Sequence, residues 1–311
     1  MVTRSKVGIF KPKIFHTNLH SLIPTTIHDA LTSPPGYKPC MMNSMLSKVT
    51  KPGPLLFSLL VPNRLDANGF LKQKYNADGS FQRHKACLVA QGFTQIAGFD
   101  YNETYSPVVK PSTIRVVLSH AVTSAWLIRQ IDVNNAFLNG DLQEDVYMKQ
   151  PLGFEFASPN LVCKLHKALY GLKQAPRSWF QKLSSTLHTF GFHANKSDTS
   201  LFVKFMPSYT IYVLIYVDDI IITRSSKHEV TTLISNLSEC FALKDLGPLH
   251  YFLGIEVTRL RNGDLLLSQS KYIIDLLRRI SMLSANPLPT PMQSTLRLQQ
   301  DASSAMTDPT L

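Results

Sequence analysis

The sequence predicts an α+β fold, and three observations predict it. Apolar runs of strand length are bounded by turn residues, amphipathic stripes recur at helical spacing, and the two kinds of segment follow one another without strict alternation. The chain has 311 residues, of which 44% are hydrophobic. That is enough apolar material for a real core and more chain than one compact core usually holds, so two or three subdomains are expected.

Taken in order, residues 1–35 are polar, basic and punctuated by proline, the composition of a basic linker expected to be disordered. Residues 36–71 carry clear periodicity of neither kind and are expected to be poorly ordered. From about Tyr75 the pattern is regular. "YNADGSFQRHKACLV" places a turn at Asp78-Gly79 between two strands. A helix starts near Ser112 or Thr113, just after Pro111, with Ile114, Val117, Leu118, Ala121 and Val122 as its apolar stripe. "WLIRQIDV" reads as a buried strand ending at Asp132. A second helix begins at Pro176, a residue suited to the first helical position, and stops at Gly191, with Trp179, Phe180, Leu183, Leu187 and Phe190 inward. Residues 211–223 read as a hairpin of two short apolar strands flanking Asp218 and Asp219. A third helix spans about 228–241, burying Val230, Leu233, Ile234, Leu237 and Phe241. "YFLGIEVTRLRNGDLLLSQS" is another hairpin, turning at Asn262-Gly263. A last helix runs from Ser270 to about Ile280, and a Pro/Ser/Thr-rich tail follows.

The formal charge is +11 and the pI near 9.5, a balance that favours a polyanionic partner, nucleic acid first and an anionic membrane surface second. Cys40, Cys87, Cys163 and Cys240 are scattered and form no C-x-x-C, so neither a zinc module nor a disulfide framework is indicated, and reduced thiols in an intracellular compartment are expected. No apolar run reaches membrane-spanning length. The start, "MVTRSKVGIFKPK", is basic but lacks the apolar core of a signal peptide.

The stretch "IYVLIYVDDIIITRS" sets Asp218 and Asp219 inside a strongly apolar run. Side by side, two carboxylates repel one another unless cations sit between them. Hard divalent cations take oxygen ligands and keep several waters, so one or two carboxylates plus substrate phosphates suffice. A bare pair is also an ordinary Asp-rich turn. A third acid, Asp132, ends a second apolar strand in "RQIDVNNAFLNGDL"; taken alone it equally suits a helix cap or a loop. Brought together by folding, the three would form a two-metal site that lowers the pKa of a 3′-hydroxyl and stabilises a leaving pyrophosphate.

Four blocks, "RQIDVNNAFLNGDLQEDVYMKQPLGF", "VCKLHKALYGLKQAPRSWF", "YVDDIIIT" and "LKDLGPLHYFLGIEV", closely resemble the reverse transcriptase of copia-type LTR retrotransposons. The resemblance runs nearly in register from about Lys72 to Met292. It implies a right-hand polymerase with fingers, a palm built on an antiparallel sheet with helices, and a partial thumb. Residues 72–131 would be the fingers and the lead into the palm, 132–258 the palm with fingers insertions, 259–292 the start of the thumb or connection, and 293–311 a disordered tail. Asp132, Asp218 and Asp219 would be catalytic and hold Mg²⁺ or Mn²⁺, with Asp219 the more peripheral. Val133, Asn134, Asn135 and Ala136 would supply backbone near the triphosphate. Phe137 would stand beneath the incoming sugar and clash with a 2′-hydroxyl, and Gln174 would contact the incoming nucleotide. "FLGIEV" resembles the hairpin that grips the primer strand. The implied partners are an RNA/DNA primer-template, dNTPs and other retrotransposon Pol and Gag proteins, with no membrane. The implied location is a cytoplasmic virus-like particle, the nucleus, or both.

The chain departs from the family pattern in two places. The family's fingers strand reads Arg-Tyr-Lys-Ala-Arg-Leu-Val-Ala-Lys-Gly, and this chain has Cys87 and Gln91 at two of the basic positions while Arg83 and Lys85 remain for the triphosphate or template phosphates. Second, Asp66–Leu71 back-translates, read one base earlier, to the family-like Gly-Cys-Lys-Trp-Val-Phe-Lys. Residues 36–71 are therefore read as out of frame, with no family-like strand expected before Lys72. No ribonuclease H follows, and no integrase or protease precedes, which reads as a polyprotein fragment or a decayed copy. Three functions compete: an RNA-directed DNA polymerase domain, a catalytically inactive remnant that only binds nucleic acid, and a two-metal nuclease or phosphatase using the same acids. The last lacks a neighbouring His or Lys base.

Overall fold

A computed structural model of the chain describes residues 56–57, 64–75, 81–151, 161–224 and 227–286. The expectations for residues 1–35, for the tail from 293 and for most of 36–71 fall outside that set. Within it the chain forms two compact units, a larger one that runs to Leu249 and takes in Asn262–Asp264, and a smaller one of His250–Arg261 and the chain from Leu265.

The larger unit is built on a six-stranded antiparallel sheet. In chain order its strands and the others of the unit are β1 (Leu56–Phe57), β2 (Ala67–Tyr75), β3 (Phe81–Ala90), β4 (Leu127–Val133), β5 (Asp141–Lys149), β6 (Leu161–Lys167), β7 (His193–Ala194), β8 (Leu201–Met206), β9 (Tyr209–Tyr216), β10 (Asp219–Arg224) and β11 (Leu243–Pro248). The main sheet has the order β11-β4-β10-β9-β8-β7, with β1-β6-β5 and β2-β3 as separate small sheets. Strand β10 lies inside the sheet, and every residue from Ile220 to Arg224 is buried. This is why the sequence there is a continuous apolar run rather than an alternation.

Three helices cover the sheet: α1 (Pro111–Thr123), α2 (Ala175–Thr189) and α3 (Lys227–Cys240). Trp179, Leu183 and Leu187 of α2 and Val230, Leu233 and Leu237 of α3 share one core with Ile131, Val133, Val213, Ile215, Ile220 and Ile222. The alternating parity of those strand residues puts both helices on one face. On the opposite face His120 of α1 meets Tyr212, and Trp126, just past the helix, packs on the same ring. A second core joins β3, β5 and β6 through Leu88, Val146, Met148, Cys163 and Leu165. Pro111 is the first residue of α1, one position before the start expected from the sequence.

Low order and no family-like strand are expected before Lys72, yet a strand is present there. β2 begins at Ala67 and pairs residue by residue with β3, Ala67 opposite Ala90 and Lys72 opposite Lys85. Ladder hydrogen bonds use only the backbone, so a partner strand in register orders this segment without periodic side chains. Ahead of it, Leu65 is buried, and its N–H donates to the Tyr147 carbonyl at 3.0 Å.

The smaller unit holds β12 (Tyr251–Phe252), β13 (Ile255–Arg259) and β14 (Leu265–Ser268) as one antiparallel sheet, followed by α4 (Ser270–Arg279). Gly263, in the turn between β13 and β14, takes φ +92°, a conformation open to glycine at no steric cost. Among the described residues no helix is long and apolar enough to cross a membrane.

Candidate active site

Asp132 and Asp219 are direct cross-strand partners in the β4–β10 ladder. Asp219 also pairs with Tyr216 across the β9–β10 hairpin, which leaves Val217 and Asp218 as its two-residue turn. The backbone register alone therefore puts all three acids at one end of the sheet. The Asp218 carbonyl accepts a 2.9 Å bond from the Val133 N–H, tying the turn to the residue after Asp132. Val217 has φ +55°, left-handed backbone that a β-branched residue adopts only under strain of about 1–3 kcal/mol. Two-residue hairpins whose twist suits the strands need that positive φ and normally place glycine there. Here the turn is held from outside, because the Trp179 indole Nε1 donates to the Val217 carbonyl at 2.7 Å.

The electrostatics follow from this crowding. Burial first, then the Asp218 charge, push the Asp219 carboxyl above its ordinary range; a hydrogen bond from Gln130 opposes the shift, and Asp132 adds to it. The Tyr170 phenol is pushed up to about 12 by burial and then by Asp218, Cys87 and Asp132. The Asp219 shift is the one that reflects like charge from neighbouring carboxylates. Among the described residues, no three His, Cys, Asp or Glu side chains converge closely enough to hold a metal ion by themselves. Oxygen-only donors whose charges repel nevertheless suit a hard divalent cation that completes its shell with water and substrate phosphates.

The stretch after Asp132 runs along the same edge. The Asn134 N–H donates to the Ala242 carbonyl at 2.9 Å, Asn135 takes φ +53°, and Ala136–Asn139 form a short 3₁₀ turn with Ala136 buried. Phe137 packs against both cores, and its ring centroid lies 4.8 Å from that of Tyr170. The structure thus gathers Asp132, Val133, Asn134, Asn135, Ala136, Phe137, Asp218 and Asp219 at one end of the sheet. Arg83 and Lys85 lie on β3 opposite Lys74 and Lys72; their side chains are outside the described set.

Gln174, which the resemblance sets beside the incoming nucleotide, is buried in this structure. Its side chain is 1% exposed; its Oε1 accepts from Gln95 Nε2 at 3.0 Å and its Nε2 donates to the Asp100 carbonyl at 3.1 Å. These two bonds link the start of α2 to the segment after β3. Sequence reasoning passed over Tyr170. The Ala90 N–H donates to its carbonyl at 2.7 Å, and a Cβ on the following Gly171 would stand 2.0 Å from the Ala90 oxygen. The available signal was that glycine beside an aromatic in a segment without periodicity, a mark of close backbone approach.

Residues 65–294 match the family described as reverse transcriptase (RNA-dependent DNA polymerase). The chain is 46% identical over 321 aligned residues to the retrovirus-related Pol polyprotein from transposon RE1 of Arabidopsis thaliana, covering all of this chain and 22% of that protein. It is 50% identical to the corresponding polyprotein from transposon RE2 of the same plant over 76% of this chain and 16% of the relative. Against the polyprotein from transposon TNT 1-94 of Nicotiana tabacum it is 43% identical over 74% of this chain and 18% of the relative. The chain spans about a fifth of the length of these relatives.

Proposed function

The chain belongs to the reverse transcriptase (RNA-dependent DNA polymerase) family, as a fragment of a copia-type retrotransposon Pol polyprotein, and on that premise we propose that its larger unit adds dNTPs to a primer 3′-hydroxyl at the Asp132–Asp218–Asp219 edge. The observation that carries this reading is the cross-strand pairing of Asp132 with Asp219, one residue from the turn that holds Asp218.

In this reading Asp132, Asp218 and Asp219 hold divalent cations, Mg²⁺ or Mn²⁺, together with the substrate triphosphate. The chemistry supplied there by the bound ions is a lowered pKa of the 3′-hydroxyl and neutralised charge on the leaving pyrophosphate. The protein's own contribution is placement. Trp179 and Val133 fix the turn that carries Asp218. Backbone from Val133 to Ala136 lies alongside the triphosphate, and Phe137 bounds the sugar. Arg83 and Lys85 meet phosphates from β3. The six-stranded sheet with α2 and α3 is the palm, residues 72–131 the fingers with the entry to the palm, and residues 259–292 the start of the thumb or connection. An RNA or DNA primer-template suits the charge of +11. The same reading places the chain with Pol and Gag partners in cytoplasmic particles or in the nucleus. The out-of-frame origin of residues 36–71 is tested in the coding DNA, where an in-frame nucleotide match to intact relatives across the segment removes it.

One observation favours a second reading, an inactive remnant that binds nucleic acid: Cys87 and Gln91 stand where the resemblance implies basic residues on and after β3. Primer extension on an RNA template separates the two. Extension by the wild-type chain that Asp218→Asn loses establishes the polymerase; an electrophoretic shift of primer-template without extension establishes the binder.

A further inference from the structure

Gln130 is a polar residue in an apolar setting. It lies on β4 two residues before Asp132, so both side chains leave the same face of the sheet. Ile221 of β10 and Gly247 of β11 stand directly opposite it, Ile128 precedes it on that face, and Leu214 of β9 lies beyond Ile221. Ile128, Ile221 and Leu214 are buried, and Gln130 itself is 3% exposed. An aliphatic side chain would suit such a position without burying a polar atom. Among the described residues, the buried Gln130 Oε1 has no hydrogen-bond partner. An acceptor left in that condition destabilises the fold through its lost hydration. The other end of the amide is occupied, for it donates to the Asp219 carboxylate. The register explains the reach: Asp219 stands opposite Asp132 and is therefore the diagonal neighbour of Gln130, close enough for a long side chain.

Resting on the polymerase reading above, we propose that Gln130 is a positioning residue that acts through Asp219, its amide fixing the orientation in which that carboxylate meets a divalent cation. The ladder sets the Asp219 backbone but leaves its half-buried side chain free to turn. A carboxylate has about four acceptor sites, so one bond from the amide holds the group while the others stay open to a cation. An amide also orients without neutralising, whereas a lysine or arginine in its place would cancel the charge that attracts the ion. Partners of this kind, one step behind the groups that bind a metal, set how those groups are presented. That role accounts for an amide kept in an apolar position with one end unpaired.

The test uses the full chain with Mg²⁺ as the probe. Gln130→Met keeps the length of the side chain and removes the amide. Without Mg²⁺ the variant should unfold at the wild-type denaturant concentration or above it, because an orphaned acceptor is gone and water can serve the half-buried Asp219. The Mg²⁺ concentration that half-saturates the rise in Tm should increase about tenfold or more. In primer extension kcat should fall about tenfold or more, while KM for primer-template stays within about twofold. In an Asp219→Ala background the same substitution should move the Mg²⁺ concentration no further, since the group it acts on is absent. A lowered denaturant midpoint with kcat and KM both impaired assigns Gln130 to the fold and overturns the inference. Equal effects with and without the Asp219 carboxylate overturn it too. If the wild type binds Mg²⁺ without extending the primer, the half-saturating concentrations alone decide. A wild type that neither extends nor responds to Mg²⁺ removes the polymerase reading and this inference with it; one that does both, matched throughout by Gln130→Met, removes the inference alone.

Discussion

The indole Nε1 of Trp179, in the first turns of α2, donates a 2.7 Å hydrogen bond to the carbonyl of Val217, the strained residue just before Asp218. Trp179 is 1% exposed and also packs edge-on against Phe241. The bond stabilises a left-handed turn that valine does not favour by itself. Trp179→Phe keeps most of the packing and removes the donor. The variant should lose about 1 kcal/mol of stability in denaturant, since a half-buried carbonyl loses its partner. In primer extension kcat should fall while KM for primer-template holds, because the loosened turn carries an acid assigned to the chemical step. Unchanged kcat would show that the turn keeps its shape without the indole.

The crowding of Asp132, Asp218 and Asp219 has a sign that can be measured. Asp219 is raised above its ordinary 3.8 by burial, then by Asp218, with Asp132 adding to the shift. The folded state therefore holds its proton more tightly than the unfolded chain, and stability falls as pH rises from 3.8 through the raised value. Asp219→Asn should be more stable than the wild type at neutral pH without divalent ions, and the difference should vanish below the unfolded value. Adding Mg²⁺ should raise the Tm of the wild type, and of Asp132→Asn and Asp218→Asn less. Equal responses in all three would separate the acids from cation binding.

How much was legible varied with the range of the interaction. The isoleucine run of β10 and the stripe Trp179, Leu183, Leu187 announced a buried strand and a helix because each pattern is local and periodic. Strand β5, "DLQEDVYMK", gave no such signal: its first five residues are exposed or half-exposed, and only Val146 and Met148 are buried. The start of β2 at Ala67 was hidden because its order comes from the β3 ladder. The acids were readable from type and flanking strands, but their meeting rests on register across the β4–β10 pair. The Gln174 bond to Gln95 was not legible, because the partner lies 79 positions away and no local pattern announces it.

Asp198 anchors the start of α1. Its carboxylate accepts from the Lys110 N–H at 2.9 Å and from the Ser200 N–H at 3.0 Å, while the side chain is 5% exposed. Burial pushes its pKa up, but the Lys110 amide, the Thr113 hydroxyl and the Ser200 amide together hold it below 3.8. A lowered folded value contributes stability above the unfolded pKa and loses it as pH falls through the folded one. Asp198→Ala should therefore cost about 1–3 kcal/mol at pH 7 and progressively less in acid below about pH 4. A cost that does not depend on pH would assign the effect to packing.

Cys87 is half-buried and near enough to the Tyr170 phenol to shift it. A cation at this point of β3 would face the acid edge from the side where a triphosphate would lie. Cys87→Arg should lower KM for dNTP about tenfold, the equivalent of about 1.4 kcal/mol, and steepen the salt dependence of nucleotide binding. Unchanged KM would place the triphosphate away from β3.

Gln95 and Gln174 are bonded side chain to side chain in the larger unit's buried interior. Besides the amide–amide bond, Gln95 Oε1 accepts from the Lys173 N–H at 2.8 Å, and Lys173 Nζ reaches the Gln95 carbonyl at 3.0 Å. Removing either glutamine leaves the other's amide buried without its partner, a cost of about 1–3 kcal/mol. Gln95→Leu and Gln174→Leu should each destabilise by that amount, while the double variant should fall short of their sum, because the second change removes an orphaned group rather than creating one. Denaturant midpoints of the four chains complete the cycle. Additive costs, together with a raised KM for dNTP in Gln174→Leu alone, would assign Gln174 to the nucleotide rather than to this pair.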